Sequence, residues 1–426
     1  MQTVKSILQV IMPRVAYQRG LALYHFVLAW LGALIYRHPS HVLTVIAVTG
    51  TKGKSSVTEL IARILRADGK RVASLSTIQF SVGDATERNL YKMTMPGRFF
   101  VQKFLRQAVT AGCTHAVIEM TSEGAKQFRH RFIAIDALVF TNLTPEHIES
   151  HGSFANYKHA KLQLAEAVAH SPKRPRYLVA NIDSEHGQDF LDFPVEAQLP
   201  YSLKDLTLYS LHKDSVSLVL DNTTLRVPLV GLFNVYNILA AITLTRALGV
   251  SLRTIEAALH DLPGIAGRVE QFKSPPGSQS PITVVVDYAH TPDSLTQVYS
   301  AFPDVPKIAV LGLTGGGRDT WKRPEIGAIA AAFCEHVFLT NEDPYDEDPH
   351  VIVTQMAAGI SDTSKYTIEL DRRRAIAAAI ARCPTDGYVF VTGKGTDPYI
   401  MGPNGSKEPW SDAAVVQELL QGNTRG

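Results

Sequence analysis

From Val42 onward, short apolar runs alternate with longer stretches in which apolar residues recur every three or four positions. The short runs are typical of buried strands, and the longer stretches are typical of helices that cover a parallel sheet. The first series predicts strands over residues 42–48, 71–77, 115–120, 137–141 and 177–181. Helices are predicted over 98–111 and 154–170. This part of the chain therefore predicts one mostly parallel sheet with helices on its faces.

A second series follows two segments rich in proline, glycine and serine, at 262–268 and 273–281. Its predicted strands cover 282–287, 307–311, 336–340 and 387–391, with helices that begin at Pro292, Lys322, His350, Arg372 and Ser411. The fold class is α/β: a central, mostly parallel sheet domain with a phosphate loop, a C-terminal Rossmann-like α/β domain and a short helical N-terminal segment. The predicted boundaries are 1–40, 41–264 and 265–426.

The segment 21–36 is apolar except for His25 and is bounded by Arg19 and Arg37. It is shorter than the run of about 20 apolar residues that a membrane span needs. We expect a buried or docking helix, ended by Pro39, and the alternative is an interfacial helix that lies on a membrane.

Composition narrows the functional classes. Lys and Arg number 42 against 40 Asp and Glu, so the net charge of +2 gives no indication of a nucleic-acid partner. Three cysteines stand far apart, without a paired spacing, which is typical of a reduced cytoplasmic protein and argues against structural zinc.

A glycine loop joins the first strand to the next helix and predicts a phosphate site. Glycines let backbone N–H groups turn toward phosphates, the helix start adds partial positive charge, Lys54 can reach the β- and γ-oxygens and Ser55 can bind magnesium. A glycine turn that merely enters a helix is the alternative. The predicted nucleotide-binding residues of this loop are Gly50, Thr51, Lys52, Gly53, Lys54, Ser55 and Ser56.

Four further residues carry possible chemistry. Glu119 ends a strand expected beside the first, where ligands of α/β sheets bind, so it can hold magnesium or be a solvated loop residue. His147 and His151 have the spacing of a zinc pair on a helix, but Pro145 and Gly152 argue against a continuous helix. Lys161 lies on an apolar helical stripe, where it either snorkels to solvent or has a special role.

Taken in order, these segments resemble the Mur ligase family, and within it the MurE type. The resemblance rests on GTKGKSS at 50–56, Glu119, TNLTPEHIESHG at 141–152, YKHAK at 157–161 and NID at 181–183. Further matches are GLFNVYNILAA at 231–241, GRVE at 267–270, DYAHTP at 287–292, GGGRDTWKRP at 315–324, EDPYDEDP at 342–349 and GKG at 393–395.

The resemblance implies an ATP-dependent ligase in which a substrate carboxylate becomes an acyl phosphate and an incoming amine displaces the phosphate. It assigns catalytic roles to Lys54, Glu119, His147, Lys161 and Arg268. It implies two magnesium sites, with ligands from Ser55, Glu119, His147 and a carbamylated Lys161. Asn234 and Asn237 would lie by the adenine, and Arg268 and Asp287 would reach the nucleotide when the domains close.

The chain departs from the family pattern in ways that bear on its substrates. Only about forty residues precede the first strand, so we expect no separate uridine-nucleotide domain. The acceptor expected from the resemblance is a muramyl-peptide-like carboxylate. The arginine that clamps diaminopimelate in the family is Tyr345 here, followed by acidic residues, which favours L-lysine or ornithine as the added amino acid. The predicted substrate-binding residues are Arg318, Arg323, Asp343, Tyr345, Gly393 and Asp397.

The expected protein is a cytoplasmic monomer of peptidoglycan precursor synthesis, with small-molecule substrates and no nucleic-acid partner. Two other classes stay open at this point. One is a ligase that resembles folylpolyglutamate synthetase or adds glutamyl units to another acceptor. The other is a non-catalytic scaffold that binds nucleotide.

Overall fold

The chain forms two compact units in a computed structural model, which describes residues 14–146, 148–317 and 319–422. The first unit extends to Leu208 and adds Val219–Leu225 and Val235–Leu259. The second contains Tyr209–Leu218, Arg226–Asn234 and the chain from His260 onward. The predicted domain boundaries after residues 40 and 264 stay predictions.

The strands and helices follow one another along the whole chain. The strands are β1 (Thr44–Thr49), β2 (Val72–Leu75), β3 (Gln79–Val82), β4 (Ala85–Arg88), β5 (His115–Glu119), β6 (Ala137–Phe140), β7 (Tyr177–Asn181), β8 (Ala197–Tyr201), β9 (Leu208–Leu211), β10 (Val216–Leu220), β11 (Thr223–Val227), β12 (Glu270–Lys273), β13 (Thr283–Asp287), β14 (Lys307–Leu311), β15 (His336–Leu339), β16 (Tyr366–Ile368), β17 (Tyr388–Thr392), β18 (Tyr399–Met401) and β19 (Lys407–Pro409). The helices are α1 (Arg14–Ile35), α2 (Lys54–Ala67), α3 (Arg98–Thr110), α4 (Ser122–Lys126), α5 (Ile148–His151), α6 (Phe154–Ala169), α7 (Gly187–Leu191), α8 (Leu232–Ala247), α9 (Leu252–His260), α10 (Pro292–Ser300), α11 (Lys322–Phe333), α12 (Pro349–Ala357), α13 (Arg372–Arg382) and α14 (Asp412–Gly422).

The first unit is built on an eight-stranded sheet in the order β4-β3-β2-β5-β1-β6-β7-β8. β2, β5, β1, β6, β7 and β8 run parallel, and β3 and β4 add an antiparallel edge. β1 is buried along nearly its whole length because helices cover both faces of the sheet. Its neighbours β5 and β6 place Glu119 opposite Val48 and Phe140 opposite Thr49, so three strand ends meet at the start of the glycine loop.

The second unit contains a six-stranded sheet in the order β12-β13-β17-β14-β15-β16. All of its pairs are parallel except β12 with β13. β18 and β19 form a small antiparallel pair, and a three-stranded sheet has the order β11-β10-β9. The predicted α/β class is confirmed, with a mostly parallel sheet in each series.

The N-terminal helix, expected to be buried or to dock, is buried on one side only. α1 packs one face on α3 through Ala29, Gly32 and Ala33, and a Cβ placed on Gly32 would lie 3.6 Å from the carbonyl oxygen of Arg98. Its opposite face is exposed, with Leu23 64% and Trp30 45% accessible. The predicted burial is therefore found on one side of the helix, and docking by the other side stays a prediction. Within the described ranges, no helix has both the length and the apolarity to cross a membrane.

Candidate functional site

The glycine loop makes the tight turn that its sequence predicts. Gly50 has φ 151° and Gly53 has φ 81°, both in the region that side chains disfavour. A Cβ on Gly50 would lie 1.9 Å from Oγ1 of Thr141, and one on Gly53 would lie 2.3 Å from Oδ1 of Asn237. Both positions therefore favour glycine by conformation, and Gly50 also lacks space for a side chain because the backbone of Asn142 lies close to it.

The segment that follows β6 holds the loop in place. Thr51 donates its backbone N–H to the carbonyl of Asn142, and Lys52 donates its N–H to Oδ1 of Asn142, at 2.9 Å in each case. Oγ1 of Thr141 donates to the carbonyl of Lys52 at 2.6 Å, and Oγ1 of Thr51 shares a 3.0 Å hydrogen bond with the Tyr157 hydroxyl. Sequence reasoning assigned Thr141, Asn142 and Tyr157 no role of their own. The position of Thr141 and Asn142 directly after a strand beside β1 was the available signal.

Because the N–H groups of Thr51 and Lys52 donate to Asn142, the N–H groups that the loop can offer to a phosphate are mainly those of the first turn of α2. The first N–H groups of a helix have no intrahelical acceptor, and the macrodipole adds positive potential there. Nζ of Lys54 donates to the carbonyl of Thr51 at 2.8 Å, which folds the side chain back along the loop. The loop thus presents a cation and a helix start at one place, as a phosphate site needs.

Ser55 and Glu119 lie together beneath the loop. The Ser55 hydroxyl donates to Oε2 of Glu119 at 2.9 Å, and both residues are buried. Thr77, which follows β2, also binds this carboxylate through its N–H at 2.9 Å and its hydroxyl at 3.1 Å. Sequence reasoning missed Thr77, although its place after a strand beside β5 pointed to this edge of the sheet. A hydroxyl and a carboxylate are the oxygen ligands that Mg²⁺ prefers, so this pair fits one magnesium site.

Lys161 is buried and does not snorkel, which rules out the simplest interpretation of its apolar stripe. The side chain is 2% exposed, Nζ donates to the carbonyl of Gly50 at 2.5 Å, and the ammonium lies 4.9 Å from the centre of the Tyr157 ring. Burial, and secondly the charge of Lys54, lowers its pKa well below the usual value. The neutral amine favoured by that environment is the form that reacts with carbon dioxide, so the site fits a carbamate.

The histidine cluster is only partly described. His147 lies outside the described residues, so its predicted metal and catalytic roles stay predictions. α5 ends at His151, Gly152 has φ 79°, and α6 begins two residues later. The ring of His151 shares a 3.1 Å hydrogen bond with the Ser122 hydroxyl. No group of three His, Cys, Asp or Glu side chains in the described part of the chain could hold a metal ion.

The residues expected by the adenine and at the hinge have clear local surroundings. Asn237 lies against Gly53, and Nδ2 of Asn234 donates to the carbonyl of Val230 at 2.8 Å. The Arg268 guanidinium stacks 4.7 Å above the Tyr288 ring. Asp287 accepts the N–H groups of Val269 at 2.8 Å and Ala289 at 2.6 Å, and burial raises its pKa. Whether these side chains reach a nucleotide stays a prediction.

Two predicted substrate ligands already have a cationic partner in the second unit. Nζ of Lys394 donates to Oδ1 of Asp343 at 2.8 Å and lies 3.8 Å from Oδ2 of Asp397. All three are buried, and the N–H of Met401 also donates to Asp343. Gly393 precedes Lys394 with φ 104°. Lys394 therefore supplies one positive charge to two buried carboxylates, and Asp343, the nearer of them, is its closest partner.

Arg323 also binds inside the protein. Its guanidinium is 1% exposed and forms two bonds to the Glu347 carboxylate, at 2.5 and 2.9 Å, and one to Gln355 at 2.7 Å. The paired guanidinium lowers the pKa of Glu347 to about 2. In this arrangement Arg323 orients Glu347, while Arg318 lies outside the described residues.

Tyr345 lines a cavity of 640 Å³ in the second unit. Four of the lining side chains are acidic and one is basic: Asp346, Glu347, Asp348, Glu408 and Lys407. Since Arg323 neutralises Glu347, the remaining carboxylates are those of Asp346, Asp348 and Glu408. Asp346 accepts the N–H of Asn404, and Asp348 caps α12 by accepting the N–H of His350. The cavity therefore has an excess of negative charge.

Comparison with known proteins identifies the family. The profile of the Mur ligase middle domain matches residues 48–245, and that of the Mur ligase glutamate ligase domain matches 267–395. A UDP-N-acetylmuramyl-tripeptide synthetase from Roseiflexus sp. (strain RS-1) is 36% identical over 420 residues, which cover 92% of this chain and 81% of that protein.

Two solved structures extend the comparison. A UDP-N-acetylmuramoyl-L-alanyl-D-glutamate–2,6-diaminopimelate ligase has a TM-score of 0.61 at 28% identity and covers 90% of this chain and 79% of its own. The folylpolyglutamate synthase of Mycobacterium tuberculosis has a TM-score of 0.69 at 16% identity, and the match covers 87% of this chain and 92% of that protein. At this identity the similarity shows a shared fold alone. Together with the matching loop, the strand-end glutamate and the buried lysine, these similarities show that the chain belongs to the Mur ligase family and is an ATP- and magnesium-dependent amide ligase of peptidoglycan precursor synthesis.

Proposed function

We propose that the protein adds an amino acid with a distal ammonium group, L-lysine or ornithine, to a muramyl-peptide-like carboxylate. The observation that carries this proposal is the acidic cavity beside Tyr345. A distal ammonium gains charge-assisted hydrogen bonds there, whereas the second carboxylate of meso-diaminopimelate meets like charges. The tripeptide synthetase from Roseiflexus supports the acceptor class by its name.

The acids that would select the amino acid differ from those expected from the sequence. Asp343 and Asp397 pair with Lys394, which leaves Asp346, Asp348 and Glu408 as the carboxylates that can face a ligand's ammonium. Lys407, whose ammonium lies 5.4 Å from the centre of the Tyr399 ring, is the cation in the lining and can bind the ligand's α-carboxylate.

In the first unit, the loop would hold ATP as a substrate. Lys54 and the amides at the start of α2 bind and orient the phosphates, and Ser55 and Glu119 are the protein ligands for magnesium. Magnesium, when bound, neutralises phosphate charge and so assists transfer to the acceptor carboxylate. The amine of the incoming amino acid then displaces phosphate from the resulting acyl phosphate, and an amide forms.

Lys161 would carry a carbamate and provide oxygens for a second magnesium together with His147. The low pKa and the buried position of the amine support this chemistry. Lys161→Ala would then be inactive, and short carboxylic acids would restore part of its activity by replacing the carbamate. A fully active Lys161→Met protein would contradict the proposed role.

The remaining parts of the proposal concern the second unit and the setting of the enzyme. We propose that Arg268, Asp287, Asn234 and Asn237 contribute to nucleotide binding, as the resemblance to the family implies. We place the enzyme in the cytoplasm, because its three cysteines are unpaired thiols. We further propose that it is a monomer and that residues 21–36 serve as a docking segment.

The decisive experiment is phosphate release from ATP with a panel of muramyl-peptide acceptors and amino acids. We expect turnover with L-lysine or ornithine and a higher kcat/KM than with meso-diaminopimelate. A tenfold preference for meso-diaminopimelate, about 1.4 kcal/mol, would contradict the assignment. Asp346→Asn should weaken the preference for lysine, and Asp304→Asn, an exposed acid outside the cavity lining, is the matched control.

The same assay separates the two alternatives. Phosphate release that requires glutamate and a folate would identify a folylpolyglutamate-synthetase-like enzyme, for which the shared fold is the only structural support. Nucleotide binding without release under any condition would identify a scaffold. The close grouping of Lys54, Ser55, Glu119 and Lys161 argues against the scaffold, because packing alone does not require this set.

A further inference from the structure

The exposed face of α1 stands out among the surfaces of the described residues. Seven of its large apolar side chains are exposed: Leu23, Tyr24, Phe26, Val27, Trp30, Leu34 and Ile35. Leu23, Val27, Trp30 and Leu34 are spaced four, three and four residues apart, so they form one stripe along the helix. Large contiguous apolar surfaces on soluble folds mark interaction sites.

Hydrogen bonds and aromatic contacts fix α1 on the first unit, so the stripe keeps one orientation. His25 shares a 2.7 Å hydrogen bond with the Arg98 guanidinium on the packed side. Arg106 donates to the carbonyls of Tyr36 at 2.9 Å and Arg37 at 3.0 Å, which satisfies acceptors just past the end of the helix. Phe26 contacts the rings of Phe128 and Phe132 edge-on. The opposite face therefore has a fixed orientation on the first unit.

The charges of the sequence on the two sides of the apolar run indicate the kind of partner. The chain carries 40 Asp and Glu residues, yet none occurs from Met1 through Thr58. The same stretch contains Lys5, Arg14, Arg19 and Arg37 on either side of the apolar run. A segment of this kind is attracted to anionic headgroups, while Trp30 and Tyr24 have the side chains that favour the interface between water and lipid.

We propose that α1 binds the surface of a membrane with anionic lipids and lies in its plane, with Leu23, Val27, Trp30 and Leu34 inserted at the boundary between the headgroups and the acyl chains. The helix binds without crossing, since no helix of the described residues can span a bilayer. A protein partner is less well matched, because the indole N–H of Trp30 is the one side-chain polar group of the stripe and the flanking charges are all basic. The surface does not contribute to the ligase chemistry, so the two proposals stand separately.

The test is flotation of the full chain with vesicles of phosphatidylcholine alone and of phosphatidylcholine with phosphatidylglycerol. We expect binding to the anionic vesicles to be at least about tenfold stronger and to weaken at high ionic strength. Leu23→Gln/Val27→Gln/Trp30→Gln/Leu34→Gln should abolish binding. The matched control is Leu208→Gln/Leu211→Gln/Phe333→Gln/Ile368→Gln, which changes the same number of exposed apolar residues elsewhere and should bind like the wild type.

Two further readouts keep the outcome unambiguous. In a Trp321→Phe/Trp410→Phe protein, the emission of Trp30 should shift to the blue and be quenched by brominated acyl chains when anionic vesicles are added. Phosphate release should persist in the quadruple α1 variant, which shows that it is folded. Absence of vesicle binding by the wild type would overturn the proposal, and dimers that the α1 variant abolishes would assign the face to a second copy instead.

Discussion

Lys54 and Lys161 are two lysines of one site with different surroundings. Lys54 bonds to a loop carbonyl at the start of α2, whereas Lys161 is enclosed beside Gly50 and Tyr157. The apolar stripe predicted that Lys161 was unusual, but periodicity cannot distinguish a snorkelling lysine from an enclosed one. That distinction depends on how α6 approaches the glycine loop, which is tertiary information.

Replacing Lys54 tests the phosphate site. Lys54→Ala removes the cation that binds the phosphates, and we expect kcat to fall by about a hundredfold or more while thermal unfolding changes little, because the side chain contributes little to packing. Phosphate release and circular dichroism measure the two effects. Lys70→Ala, an exposed lysine after α2, is the control, and normal turnover by Lys54→Ala would contradict the assignment.

Replacing Lys161 by Met tests the burial of its amine through the pH dependence of stability. The folded state holds this lysine with a lowered pKa, whereas in the unfolded chain its pKa is about 10.4. Between these two values the unfolded state binds more protons, so the wild type loses stability as the pH falls. We expect the free energy of unfolding of Lys161→Met to exceed that of the wild type by a margin that grows as the pH falls below 10. The growth is up to about 1.4 kcal/mol for each pH unit.

Urea unfolding at pH 7 and 9, in buffer free of carbon dioxide, measures that gain. Lys158→Met is the matched control, because this lysine lies on the same helix and pairs with Asp189 at 2.6 Å near solvent. A gain for Lys161→Met that is equal at both pH values would show that the amine is not desolvated in the folded protein.

At the scale of elements, the sequence predicts the buried strands and the long helices well and the edges poorly. β1, β5, β6 and β7 lie within two residues of their predicted bounds, because strands covered on both faces appear as continuous apolar runs. β4 and β19 have no buried residue and therefore leave no such signal. The pairing of Lys394 with Asp343 escaped prediction for a related reason, since 51 residues separate the two in sequence.

The turn before β12 provides a test at this scale. Gly267 has φ 60°, and a Cβ there would lie 2.7 Å from backbone atoms of Gly395 and Thr396. We expect Gly267→Ala to destabilise the fold by more than the roughly 1–2 kcal/mol that the left-handed conformation alone costs. Urea unfolding measures this. Gly277→Ala is the control, because Gly277 has φ 86° with no atom within 4 Å, and an equal loss in both variants would contradict the close contact.

At the scale of the whole molecule, the phosphate loop and the acidic cavity belong to different units. Substitutions that share no partner have additive effects, so changes in the cavity should leave nucleotide affinity unchanged. We expect Asp346→Asn/Glu408→Gln to raise the KM for lysine about tenfold and to alter the Kd of a non-hydrolysable ATP analogue by less than about twofold. Kinetics and calorimetry test this, and a parallel loss of nucleotide affinity would show that the two sites are coupled.

The hydrogen bonds from the segment after β6 to the glycine loop also affect the thermodynamics of nucleotide binding. Because Asn142 and Thr141 fix the backbone of Thr51 and Lys52 in the absence of nucleotide, the conformational entropy of the loop is lost when the protein folds. Nucleotide therefore meets a preorganised loop, and little of its binding free energy is spent on ordering the chain. The amide hydrogens of Thr51 and Lys52 should accordingly exchange slowly with solvent even before ATP is added.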